Sequence, residues 1–214
     1  MKKYNLPYIN KQVETVILAN GTFPCHAIPT SILQNCQYLV CCDGAINNLS
    51  ETDIEPDAIV EDCDSLDEKL SKYQNIIQRI SEQETNDLTK AVQFCLKQGR
   101  KAITILGATG KREDHTIANI SLLCDYMKEV EVEMITDHGI FVSIDTDSSF
   151  ISIPKQQVSI FCIDKQPISS QGLVYPINNQ IFTNLWQATL NESIDNEFII
   201  YTKGRTIIYR NFSD

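Results

Sequence analysis

Between positions 14 and 136 the chain alternates short β-branched runs with stretches of helical length, and this alternation restricts its fold more than any other feature. ETVILAN (14–20), QYLVCCD (37–43), PDAIVED (56–62), NIIQRI (75–80), KAITILG (101–107) and VEVEMIT (130–136) read as strands. Strands separated by helices are joined by crossovers, so the expected fold is α/β, a mostly parallel sheet flanked by helices. Two helices are well marked. TNDLTKAVQFCLKQG sets Leu88, Val92, Cys95 and Leu96 at helical spacing, opens on the cap candidates Thr85, Asn86 and Asp87, and stops at Gly99. In REDHTIANISLLCDYMK, Ile117, Ile120, Cys124 and Met127 share one face, which the spacing assigns to the core.

After about position 137 the pattern changes. FVSID, VSIFCID, GLVYPI, EFIIYT and RTIIYR are short strands with no long helical period between them, and Lys203-Gly204 reads as a hairpin turn. The expected division is therefore 1–136, an α/β domain, and 137–214, a C-terminal β-sandwich.

Charge and cysteine usage narrow the function classes. Lys and Arg number 18 against 28 Asp and Glu, a net charge of −10, which repels nucleic acid in the absence of a local basic patch, and none is evident. No apolar run approaches the roughly 18 residues that span a bilayer, and MKKYNLPYINK has no apolar stretch that would make a signal peptide, so a cytoplasmic protein is expected. Eight cysteines without an export signal, with Cys41, Cys63, Cys95 and Cys162 in apolar segments, read as buried free thiols, and the absence of CxxC argues against zinc.

In an open parallel sheet, ligands bind beyond the carboxyl ends of the strands. Asn20-Gly21, Asp43-Gly44, Asp62-Cys63-Asp64, Gln83 to Asp87, and Gly107-Ala-Thr-Gly110-Lys-Arg112 fall there. Asp62 and Asp64 sit two apart on extended chain, so their carboxylates point the same way. They read either as a site for a hard cation such as Mg²⁺ or as an acidic turn that caps a helix. Asp43-Gly44 also suits a plain turn, and Asp87 a helix N-terminus. In GATGKREDHT, Gly107 and Gly110 let backbone N–H groups of the Thr109 loop approach an anion, although the motif is neither GxxxxGK[ST] nor GxGxxG. Arg112, His115 and Asn119 form a polar stripe beside the apolar face that would hold phosphate; alternatively Arg112 pairs with Asp114 or Glu113. Trp186, the single tryptophan, reads as core or as an aromatic platform for a flat or cationic ligand.

DGA (43–45), PDAIVEDCDS (56–65), QETNDLTKA (83–91) and LGATGKREDHTIANI (106–120), in that order and spacing, resemble the thiamine pyrophosphokinase family, and SIFCID, GLVYPI and TLNES continue the likeness. The resemblance implies an α/β ATP- and Mg-binding catalytic domain, a β-sandwich that binds thiamine and dimerises, and a homodimer with interfacial active sites. The implied reaction is ATP + thiamine → AMP + thiamine diphosphate. It also implies metal ligation by Asp62, Asp64 and Asp87, with Asp43 beside them and Arg112 in the catalytic set. ATP contacts would come from Asn20, Gly21, Asp43, Gly44, Gly107, Thr109, Gly110, Arg112, Asp114, His115 and Asn119. Thiamine contacts would come from Gln83, Asp87, Trp186, Thr189 and Asn191. The chain departs from the family's usual DGG, GDFDS, TTD and SN at Ala45, Glu61, Cys63, Asn86 and Leu190. The same machinery would serve another heterocyclic alcohol such as a pterin, or the fold would serve a non-catalytic nucleotide- or thiamine-binding regulator.

Overall fold

The computed structural model describes residues 1–50, 52–61 and 72–212. The chain forms two compact units, residues 9–137 and residues 1–8 together with 138–214. It opens on β1 (Lys2–Tyr4), which belongs to the second unit. The first unit then runs β2 (Thr15–Leu18), α1 (Ala27–Asn35), β3 (Leu39–Cys42), β4 (Ala58–Glu61), β5 (Ile77–Arg79), α2 (Asp87–Lys97), β6 (Ala102–Leu106), α3 (Glu113–Tyr126) and β7 (Glu131–Ile135). All six strands expected from the sequence are present. Their order across the sheet is β7-β6-β2-β3-β4-β5, and each neighbouring pair is parallel. Every residue of β2, β3 and β4 is buried, as central parallel strands covered on both faces require.

Local chemistry sets the helix ends. Asn86 caps α2, its Oδ1 accepting the Thr89 N–H at 2.9 Å, and Gly99 just past its C-terminus takes the left-handed φ of 76° that ends a helix cheaply for glycine. In α3 the buried face is Asn119, Leu123, Cys124 and Tyr126, while Ile117 is 67% exposed. The expected face of Ile117, Ile120, Cys124 and Met127 is therefore rotated by roughly a quarter turn at 100° per residue. Hydrogen bonds explain the rotation: Asn119 Nδ2 donates to the Ala108 carbonyl at 2.9 Å, and the Tyr126 hydroxyl lies 2.7 Å from Thr89 Oγ1 on α2. Polar groups satisfied in this way can be buried without the cost of an unmade hydrogen bond, and the contacts they make fix this face of the helix inward. Asn119 thus lies within the buried face, not beside it.

The second unit continues with β8 (Gly139–Ile144), β9 (Ser148–Ile151), β10 (Gln157–Cys162), β11 (Ser169–Gln171), β12 (Asn191–Glu192), β13 (Glu197–Tyr201) and β14 (Thr206–Asn211). These and β1 form two sets of paired strands, β1-β9-β13-β11 and β12-β10-β14-β8. The pairings are antiparallel except for β1 with β9, so "mostly parallel" applies to the first unit alone. Phe150 stacks on Tyr4 at 5.2 Å and on Phe198 at 5.0 Å. Arg210 of β14, fully buried, reaches the other set: its guanidinium donates to the carbonyls of Tyr4 (3.2 Å), Ile151 (2.6 Å) and Asn5 (3.0 Å) and lies 5.3 Å from the Phe150 ring centre.

Three local expectations fail here. Lys203-Gly204 is not a hairpin turn, because the strands on either side belong to different sets. The Thr202 hydroxyl donates to the Gly204 carbonyl at 3.1 Å and accepts its N–H at 3.2 Å, holding a crossing between them. GLVYPI is not a strand: Leu173 makes one isolated bridge to Ser193, and Val174 and Tyr175 are exposed. Trp186 is not core. It lies on a short 3₁₀ turn, Leu185–Ala188, and is 70% exposed. Of the cysteines, Cys41, Cys42, Cys95 and Cys124 are buried free thiols, Cys36 and Cys162 are half-buried, and Cys25 is exposed; Cys63 lies outside the described residues.

Candidate active site

β6, β2 and β3 are neighbours in a parallel sheet, so the loops leaving their carboxyl ends, at Gly107, Ala19 and Asp43, emerge side by side. The first two interlock. Ala19 N–H donates to Leu106 O (2.9 Å), Gly21 N–H to Gly107 O (2.6 Å) and Thr22 N–H to Thr109 O (2.7 Å). A Cβ on Gly21 would lie 2.4 Å from both the Gly107 and Thr109 carbonyl oxygens, and one on Gly110, which has φ 94°, would lie 2.2 Å from Thr22 Oγ1. Only glycine permits this approach. From the third loop, Gly44 (φ 71°) abuts Asn20, whose Nδ2 would be 2.4 Å from a Cβ at Gly44.

Together with the start of α2, these loops bound a cleft of about 190 Å³. Of the residues singled out from the sequence, Asn20, Gly21, Asp43, Asp87, Thr109, Arg112, His115 and Asn119 line it. Gly44, Gly107, Gly110 and Asp114 shape or brace its walls without lining it. Sequence reasoning missed Asn86, Lys111 and Thr116, which also line it. Lys111 was visible inside GATGKR as a cation in a glycine loop. For Asn86, the helix-cap signal masked the second contact. Asp62 and Asp64 lie outside the described residues.

A hydrogen-bond chain forms one wall. Asn119 Nδ2 holds the Ala108 carbonyl, Asn119 Oδ1 accepts from Asn86 Nδ2 at 3.3 Å, and Asn86 Oδ1 caps α2. The carboxamide of Asn119 is therefore engaged on both sides. Arg112 makes the ion pair that the motif left open: its Nε and one terminal nitrogen meet the two carboxylate oxygens of Asp114 at 3.1 and 2.6 Å. That guanidinium, helped by the His115 N–H at 2.9 Å, pulls the Asp114 pKa down to about 2.

Asp87 is the first residue of α2, where the helix dipole favours a carboxylate. One turn on, the Lys90 ammonium stands 3.6 Å from Asp87 Oδ1; Lys90 is 2% exposed while the Asp87 side chain is 47% exposed. A lysine so deeply buried is unusual, and no spacing in the sequence marked it. Gln83 is exposed, on a loop pinned by the Glu82 carboxylate, which accepts from the N–H groups of Glu84 (2.9 Å) and Thr85 (3.2 Å). Glu61 closes β4 with its carboxylate buried; Oε1 accepts from Arg79 Nε of β5 at 3.1 Å and Oε2 has no partner among the described residues. Its ion pair is with the edge strand β5, and it is not among the residues lining the cleft.

The remaining expected residues belong to the second unit. Trp186 offers its ring to solvent. Thr189 donates its hydroxyl to the Trp186 carbonyl at 2.8 Å. Buried Asn191 accepts the Tyr175 and Glu192 N–H groups (3.0 and 2.8 Å) and donates to Tyr175 O (2.8 Å), so its carboxamide positions the 174–175 segment.

The donors in the cleft suit a hard cation. Asp43 and Asp87 supply carboxylate oxygen and Asn20 amide oxygen, while Cys42 is engaged as a thiol, its S–H given to the Asp87 backbone carbonyl at 3.8 Å. Among the described residues no three His, Cys, Asp or Glu side chains converge tightly enough to hold a metal.

Fold and cleft define the class: an α/β protein with a cleft on glycine-tightened loops at the carboxyl edge of a parallel sheet, where such folds bind ligands, and with a strand-rich unit appended. Comparison with known proteins narrows it. Residues 30–135 match the family model "Thiamin pyrophosphokinase, catalytic domain" and residues 139–209 match "Thiamin pyrophosphokinase, substrate-binding domain". The chain belongs to the thiamin pyrophosphokinase family. It is 26% identical over 159 residues to thiamin pyrophosphokinase 1 of Caenorhabditis elegans, a match covering 67% of this chain and 65% of that protein. With thiamine pyrophosphokinase 1 of Oryza sativa subsp. japonica it is 30% identical over 112 residues, 47% of this chain and 42% of that one. The matches thus span less than two thirds of either relative. Its fold is that of the Candida albicans thiamin pyrophosphokinase structure, with a TM-score of 0.78 at 22% identity, covering 99% of this chain and 93% of the other.

Proposed function

We propose that the chain is a Mg²⁺-dependent thiamine diphosphokinase: it transfers the pyrophosphoryl group of ATP to the hydroxyl of thiamine, giving thiamine diphosphate and AMP. The observation that carries this reading is the convergence of Asp43, Asp87 and the interlocked Asn20–Gly21 and Thr109–Arg112 loops on one cleft, in a chain matched by both family models. At about 190 Å³ the cleft takes part of a nucleotide, and its lining suits the phosphate end.

In this reading the thiamine hydroxyl oxygen attacks the β-phosphorus, the bond from that phosphorus to the α–β bridging oxygen breaks, AMP leaves with that oxygen, and the hydroxyl proton is lost. The loop backbone and the cations beside it bind and orient the triphosphate, so the attack is in line. Asp87, with Asp62 and Asp64 and with Asp43 beside them, holds Mg²⁺, which when bound spreads the charge developing on the phosphate oxygens. Lys90 keeps the Asp87 carboxylate aimed. Gln83, Asp87, Trp186, Thr189 and Asn191 serve the thiamine side, Trp186 by stacking and Asn191 by positioning. The ATP- and Mg-binding part, expected over 1–136, is assigned to the unit 9–137, and the thiamine-binding and dimerising part, expected over 137–214, to the unit of 1–8 with 138–214. A homodimer with interfacial active sites and a cytoplasmic setting complete the reading. Among the described residues no helix is long and apolar enough to cross a membrane.

Incubation with ATP, Mg²⁺ and thiamine should release AMP with thiamine diphosphate, a chelator should stop it, and Asp87→Asn should lower turnover by at least about 100-fold. Release of ADP with thiamine monophosphate would overturn the pyrophosphoryl assignment.

A further inference from the structure

A triphosphate entering a cleft that already holds Asp43 and Asp87, on a chain of net charge −10, needs a cation there whose charge is not already neutralised. Among the described residues two cationic side chains line the cleft, Lys111 and Arg112. Arg112 is committed to Asp114 through two hydrogen bonds, so that pair presents little net charge. Among the described residues Lys111 has one partner, the neutral amide oxygen of Asn20, 3.1 Å from Nζ. Its full charge therefore stays available while its long side chain is held in place.

Placement strengthens the argument. Lys111 stands on the loop after β6 and Asn20 on the loop after β2, so their hydrogen bond joins the two interlocked loops at the cleft lining. Asn20 is backed on its other side by Gly44. An amide oxygen that accepts from an ammonium stands where an anionic oxygen would bind the same ammonium more strongly.

We infer that Lys111 is the residue that anchors the terminal phosphates of the nucleoside triphosphate, exchanging the Asn20 amide oxygen for phosphate oxygens when the substrate enters. This rests on the reading of the cleft as the ATP site and adds a substrate-affinity residue to it. Because it acts on the phosphates, Lys111 governs affinity for triphosphate and not for thiamine.

Lys111→Met, Lys111→Arg and Asn20→Ala should be compared with the unmodified chain in steady-state turnover, in thermal unfolding and in direct binding of inorganic triphosphate. Lys111→Met should raise KM for ATP and Kd for inorganic triphosphate together by roughly tenfold or more, leave KM for thiamine and the unfolding temperature nearly unchanged, and be rescued by Lys111→Arg. Asn20→Ala, which leaves the ammonium in place, should disturb triphosphate binding less than Lys111→Met. If Lys111 merely braced the loops, Lys111→Met and Asn20→Ala would match, with lower unfolding temperatures and both substrates affected. That result overturns the inference, as does an unchanged KM for ATP in an active Lys111→Met enzyme, and either leaves the proposed function standing. A parent chain that neither forms AMP nor binds triphosphate defeats both.

Discussion

Gly21→Ala is the sharpest test of how the cleft is built. The added methyl would lie 2.4 Å from two backbone oxygens, Gly107 O and Thr109 O, and 2.9 Å from the Thr109 nitrogen. Carbon–oxygen contact distances demand that the loops separate by about 1 Å, and none of the three atoms is a side chain that can rotate away. Separation lengthens the 2.6 Å Gly21–Gly107 and 2.7 Å Thr22–Thr109 hydrogen bonds beyond useful range. Two lost backbone bonds with their carbonyls left poorly paired cost about 2–4 kcal/mol, which for a chain of this size is a fall in Tm of roughly 5–15 °C. The same displacement pulls Asn20 and Lys111 apart, so KM for ATP should rise in the same variant. Gly99→Ala is the control: its φ of 76° makes any side chain unfavourable by about 1–2 kcal/mol, yet nothing lies within 4 Å of the new methyl and the cleft is not involved. It should lose stability and keep its KM values. A Gly21→Ala protein with parental Tm and parental KM for ATP would refute the interlock.

Three further outcomes can be measured. Trp186→Ala should change stability by less than about 0.5 kcal/mol, because the ring is exposed, yet raise KM for thiamine by about 5–30-fold if the ring is the platform; as the single tryptophan, it should also report thiamine binding by quenching, and absence of both effects removes it from the site. Arg210→Met should cost about 3–5 kcal/mol in urea unfolding, since the carbonyls of Tyr4, Asn5 and Ile151 lose their donor inside the second unit; a loss below about 1 kcal/mol would show that the carbonyls find other partners. In alkali, Cys41 and Cys95, whose thiols burial pushes up to about 12, stay protonated in the folded chain while the unfolded chain ionises from about 9. Their contribution to stability is therefore whole below pH 9 and declines as pH rises from 9 through 12, and a Cys41→Ala, Cys95→Ala protein should show a flatter decline.

The parallel sheet was legible because central strands buried on both faces are continuous apolar runs, as in TVIL, LVCC and AIVE. The loops of the cleft were legible for a related reason: topology puts the residues just after such strands at the binding edge. Side-chain facing was less so. Periodicity counts apolar atoms and is blind to hydrogen bonds, so it placed Ile117 inside and Asn119 beside the core, where the Ala108 and Asn86 contacts reverse them. It was blind in the same way to Lys90, buried against Asp87. The Lys111–Asn20 contact joins residues 91 positions apart, and only the adjacency of β2 and β6 brings them together. In the second unit, GLVYPI has the composition of a strand, but among the described residues its only ladder contact is the isolated Leu173–Ser193 bridge, and Trp186 broke the expectation that a lone tryptophan is core.

The pairing of β1 with β9 bears on how the chain is made. Residues 2–4 leave the ribosome well before their partners, 148–150, which emerge about 145 positions later; at 5–20 residues per second, that is a wait on the order of ten seconds or more. The whole of 9–137 is synthesised in the interval as one uninterrupted stretch, free to complete its sheet while the opening strand has nothing to pair with. A bulky group joined just ahead of β1 would therefore act late in biogenesis, on the unit containing Trp186, and leave the cleft of the first unit formed.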